Sequence, residues 1–65
     1  MENNNVIILM QNLEKEFLAS CNDVERFVSG NKSAGTRVRK YMQSIKKLAQ
    51  EIRVEVQNQK QAVTV

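Results

Sequence analysis

Apolar residues recur along the first half of the chain at positions 6, 10, 13, 17, 24 and 27, joined by Leu9, Cys21 and Val28. This three-four spacing is that of one stripe on a helix and predicts a first helix over about residues 6–28. A second stripe follows at Ala34, Val38, Tyr41, Ile45, Leu48 and Ile52, widened by Met42, Ala49 and Val56. It predicts a second helix over about residues 32–58, after which "QNQKQAVTV" loses the pattern and the last residues fray.

The polar residues between the stripes supply the punctuation. Asn5 is placed to cap the first helix and Asn31 the second. Gly30 is suited to the left-handed conformation that closes a helix end, so Ser29-Gly30-Asn31 reads as a tight turn. A connection of about three residues makes the helices run antiparallel as a hairpin. Phe17, Phe27 and Tyr41 are expected in the core, Tyr41 with its hydroxyl at the rim, and Met10, Met42 and Cys21 as apolar filler.

The expected fold is therefore all-α, an antiparallel hairpin of two long amphipathic helices forming one domain over residues 1–65. A chain of 65 residues and 7.5 kDa buries too little surface to be comfortable alone. Self-association into a homodimer or higher homo-oligomer, as a coiled coil or four-helix bundle, is expected, with the flank bearing Ile7 and Leu18 as its contact.

Composition narrows the chemistry. The sequence has two glycines, no proline, no histidine and one cysteine, Cys21. A lone thiol forms no internal disulfide, and without histidine or a second thiol there is no metal-site spacing. No paired carboxylates, phosphate-binding loop or spare chain for a pocket is visible, so neither catalysis, cofactor nor small-molecule substrate is expected. The apolar run Val6 to Met10 is too short to span a membrane, and no membrane partner is expected.

Charge is divided unevenly. Residues 1–29 hold two basic against five acidic residues, a balance of −3, whereas residues 30–65 hold eight against two, a balance of +6. The segment Gly30 to Lys47 carries Lys32, Arg37, Arg39, Lys40, Lys46 and Lys47 and no acid. At about 100° per residue, Arg39, Lys40, Lys46 and Lys47 fall within about 80° of Lys32, opposite the apolar stripe. Arg53 extends one margin, Arg37 sits nearer the other, and Thr36, Gln43 and Gln50 lie along the middle.

Such a stripe suits a row of phosphates, where Lys and Arg displace condensed counterions whatever the base sequence. The amides from Asn31 to Ala34, at the N-terminus of the second helix, are a further seat for an anion, with Gly35 permitting close approach. Gly35 can equally ease packing against the first helix, and a charged outer face also serves solubility. Without an exposed aromatic pair, single-strand binding by stacking is not expected.

The segment Gly30 to Gln57 resembles the bacterial linker-histone-like nucleoid proteins of the chlamydial type. The likeness is carried by Gly30-Asn31-Lys32, Ala34-Gly35 and Arg37-Val38-Arg39, followed by an amphipathic helix. It implies a sequence-tolerant protein of the cytoplasmic nucleoid that binds double-stranded DNA and organises the chromosome. Lys32, Arg37, Arg39, Lys40, Lys46, Lys47 and Arg53 are then the candidate DNA-binding residues, the last of them from the helical wheel alone. The chlamydial members continue into a lysine- and alanine-rich tail, whereas this sequence has its last basic residue at Lys60, so dimerisation is expected to raise a weak intrinsic affinity. The alternative from the charge split is a helical assembly module without nucleic-acid binding, in which the acidic first helix pairs with the basic second.

Overall fold

The computed structural model describes residues 4–63. They form two helices, α1 (Asn5–Val28) and α2 (Lys32–Val63), packed against each other as an antiparallel hairpin. The turn between them leaves few backbone groups unused. The amide of Asn31 donates to the carbonyl of Arg26 at 2.9 Å and that of Gly30 to Phe27 at 3.0 Å, the paired bonds of a Schellman cap. Gly30 has φ of +113°, a conformation that a side chain would oppose. Asn31 then caps α2, its Oδ1 accepting from the Ala34 amide at 3.2 Å.

The other end of the hairpin differs from the sequence expectation. Asn4, rather than Asn5, caps α1: its Oδ1 accepts from the Val6 amide at 2.8 Å. The same side chain exchanges two bonds with Gln59, whose Nε2 donates to Asn4 Oδ1 at 3.0 Å and whose Oε1 accepts from Asn4 Nδ2 at 3.1 Å. Gln59 also donates to Glu55 at 3.1 Å. These contacts, and a run free of glycine and proline, carry α2 to Val63 instead of ending it near residue 58. The expected fraying at Thr64 and Val65 lies outside the described residues.

The helices meet along Val6, Leu9, Leu13, Glu16, Ser20 and Asp23 of α1. The facing line on α2 is Ala34, Val38, Tyr41, Ile45, Leu48, Ile52, Glu55 and Gln59. Both lines advance by alternating threes and fours, the seven-residue rhythm of nearly parallel helix axes. On α2 this seam is the stripe expected from sequence. On α1 it is rotated by about 45° from the expected stripe, at 100° per residue. Met10 and Phe17 are therefore half exposed rather than core; Phe27, which continues the seam line at the last turn of α1, is half exposed too, and Met42, on the flank of the α2 stripe, is exposed rather than filler.

The reason is the close approach of the helices beside the turn. Ser20 and Ala34 are 2% and 0% exposed, and both are small. A phenylalanine in the place of Ser20 would force the axes apart. Ser20 satisfies its hydroxyl within α1 by donating to the Phe17 carbonyl at 2.7 Å. Gly35 serves the same approach: a Cβ there would lie 2.7 Å from Cδ1 of Phe27, whose ring rests on the α2 backbone. The packing role of Gly35 is the one the structure displays.

The hairpin is a slab with principal extents of 55 × 20 × 11 Å, about one helix thick. Ala34 is the single fully buried apolar residue among those described. No helix among the described residues is long and apolar enough to cross a membrane.

Candidate nucleic-acid interface

The outer edge of α2, turned away from α1, carries a regular basic series. Lys32, Arg39, Lys46 and Arg53 are spaced by seven residues and Lys60 continues the series. Lys40 and Lys47 stand immediately beside two of its members. Seven residues rise about 10.5 Å and nearly complete two turns, so these residues project in a row along one edge of a straight helix. From Lys32 to Arg53 the row spans about 32 Å, close to one turn of duplex DNA at about 34 Å.

Lys32, Arg39, Lys40, Lys46, Lys47 and Arg53 are all exposed, and none forms an ion pair among the described residues. Thr36, Gln43, Gln50 and Gln57 follow the same seven-residue interval between them, exposed and uncharged. The edge thus presents cations and hydrogen-bonding groups without an interspersed carboxylate. Glu51 lies on the flank and Glu55 in the seam.

Arg37 stands apart from this row. Its Nε lies 3.1 Å from both carboxylate oxygens of Asp23, and its Nη2 lies 3.0 Å from Oδ1. Asp23 is 5% exposed and receives a further, looser contact from Arg26 at 3.6 Å. The bonds from Arg37 hold the Asp23 carboxyl below its ordinary value, outweighing the opposing effect of burial. Arg37 therefore ties α2 to α1, while the other six candidates face solvent. On the helical wheel Arg37 stands at the margin of the stripe, and a carboxylate across the turn lies beyond any local count.

The helix N-terminus is also less available than the sequence implies. The Ala34 amide is occupied by Asn31, and Ala34 itself is buried against α1. Lys60, by contrast, was not among the candidates because the amphipathic pattern fades before it. The signal that finds it is the seven-residue interval, which α2 maintains through that region.

The family model described as Histone H1-like protein Hc1 matches residues 8–62. No curated protein and no solved structure matches the chain.

Proposed function

The chain belongs to the histone H1-like protein Hc1 family, a family of DNA-binding, nucleoid-associated proteins and not of enzymes, and from that premise we propose that it grips duplex phosphates along the outer edge of α2. Lys32, Arg39, Lys40, Lys46, Lys47 and Arg53 are the contacting residues in this reading. The observation that carries it is the basic row from Lys32 to Arg53, at intervals of seven, free of acids and of ion pairs among the described residues, over a length matching one turn of duplex. Arg37 contributes indirectly, by fixing α2 against α1.

Contacts of this kind neutralise phosphates and position the protein without reading bases. The protein then acts at the nucleoid, in the cytoplasm, as a sequence-tolerant organiser of chromosomal DNA. A straight helix edge laid along a groove needs no base-specific pairings, and its affinity follows ionic strength rather than sequence.

The test is fluorescence anisotropy with two duplexes of unrelated sequence across a range of salt concentrations. Comparable affinity for both is expected, with log K falling by about 0.9 per neutralised phosphate for each tenfold rise in salt, a slope near −5 for about six contacts. Absence of binding at low salt would leave the assembly-module reading in its place. Strong preference for one duplex would overturn the phosphate-only mode.

A further inference from the structure

The two broad faces of the slab differ. One is largely polar, with a groove whose lining of Asn12, Lys15, Glu16, Ser44, Lys47 and Glu51 includes one apolar residue, Leu48. The other is apolar. On α1 it carries Met10, Phe17, Val24 and Val28, which are between 40% and 78% exposed, with Cys21 among them. On α2 it carries Met42, Ala49 and Val56, again at intervals of seven.

Helix handedness places both sets on the same side. Viewed along α1 from its N-terminus, the Met10–Phe17–Val24 line lies clockwise of the seam. The Met42–Ala49–Val56 line lies counterclockwise of the seam on the antiparallel α2, so the lines adjoin across one face. Over the 24 residues of α1, about 36 Å, and the 20 Å width of the slab, that face covers about 700 Å². About 800 Å² per partner is usual for a stable protein pair.

We infer that this face is covered by a second copy of the chain, with α1 of each copy lying over α2 of the other. Charge at the rims selects this pairing. The α1 rim carries Glu14 and Glu25, and the α2 rim carries Arg39, Lys46 and Arg53. A two-fold axis running along the helices sets the acidic rim of one copy on the basic rim of the other. A two-fold across the helices stacks acid on acid and base on base, which repels.

The intrachain contacts also fix the levels. Asp23 meets Arg37 and Asn4 meets Gln59, so facing residues have numbers summing to about 60–63. An axis along the helices preserves height, so the same rule relates α1 of one copy to α2 of the other. Phe17 then lies against Met42 and Ile45, Val24 against Gly35 and Val38, and Met10 against Ala49 and Ile52. The larger Met10 of α1 faces the smaller Ala49, as interdigitation requires. Glu14 comes level with Lys46 and Glu25 with Arg39. Ile7 and Leu18, the contact flank expected from sequence, fall at the edge of this interface rather than at its centre.

The pairing has a functional consequence. Arg39 and Lys46 then stand between the partner's carboxylates and the open edge while Lys40 and Lys47 lie clear of the rim, so the basic edges of the two α2 helices face away from each other on opposite sides of a four-helix bundle. Such a dimer holds two duplexes side by side, whereas α2 stacked on α2 would present a single broad basic platform to one duplex.

The pairing is testable without DNA. Sedimentation equilibrium is expected to return about 15 kDa, twice the 7.5 kDa chain. Glu14→Lys and Lys46→Glu, both at exposed positions on opposite edges of one hairpin, should each weaken the dimer about tenfold at low salt. Combining them should restore it, because the exchanged charges meet again between copies. A 7.5 kDa monomer at 100 μM or above, roughly the range expected of weak association, would overturn the proposal. So would a dimer tightened by Glu14→Lys alone, since only stacking of α1 on α1 gives that result.

Discussion

Asp23 in α1 and Arg37 in α2 join the helices by bonds of 3.0 and 3.1 Å on a carboxylate that is 5% exposed. Fourteen positions separate them in sequence, and the turn brings them face to face. Arg37 supplies a rigid fork that matches a carboxylate, and a lysine would offer one point charge instead. The pair ties the first turns of the basic helix to the last turns of α1.

Asp23 makes the hairpin sensitive to acid in a defined direction. Its carboxyl is held below the ordinary aspartate value of 3.8 by the bonds from Arg37. A group with a depressed folded value contributes stability above its unfolded value and loses that contribution as pH falls through the folded one. Thermal unfolding followed by circular dichroism at fixed protein concentration should show stability falling below about pH 4. In Asp23→Asn the fall over that interval should be smaller and the neutral-pH melting temperature lower. Arg37→Gln should also lower the melting temperature, because it leaves the Asp23 carboxylate without its principal partner.

Gly35 and Phe27 should behave as a coupled pair. Alanine is favoured over glycine in a helix interior by about 1 kcal/mol. In Phe27→Ala, where the ring is gone, Gly35→Ala is expected to stabilise by about that amount. In the native chain the same change places a Cβ 2.7 Å from the ring and should forfeit the gain. A double-mutant cycle measured by urea denaturation reads the difference, and strict additivity would contradict the contact.

The cap at the start of α1 distinguishes two neighbouring asparagines. Asn4→Ala removes both the bond to the Val6 amide and the amide exchange with Gln59, and should cost about 1 kcal/mol or somewhat more. Asn5→Ala, at the first helical position and exposed, should change stability by no more than about 0.5 kcal/mol. The same denaturation experiment checks both.

Neutralising Arg39 and Lys40 together should weaken binding to all duplex sequences equally and reduce the magnitude of the salt slope by about 1.8. Their side chains face solvent, so the melting temperature should be nearly unchanged. Unaltered DNA affinity in this double variant would remove the outer edge of α2 as the binding surface.

The all-helical hairpin, its turn at Gly30 and α2 as far as about residue 58 were legible in the chain because they depend on local rules. Apolar spacing, the absence of proline and the capping chemistry of Gly30 and Asn31 act within a few residues of themselves. The basic row of α2 was legible for the same reason, since angular position on one helix is a matter of counting. What only the tertiary structure decided was the rotation of α1 about its own axis. The chain supplies two adjacent lines, one through Leu13, Ser20 and Asp23 and another through Met10, Phe17 and Val24, and the more apolar of the two is not the one turned inward. Close approach at Ser20 and Ala34, together with the bond from Asp23 to Arg37, turned the smaller and more polar line to the seam. These are contacts across the turn that no local count contains. That rotation also removed Arg37 from the phosphate-facing row and left an apolar face of α1 on the outside of the hairpin.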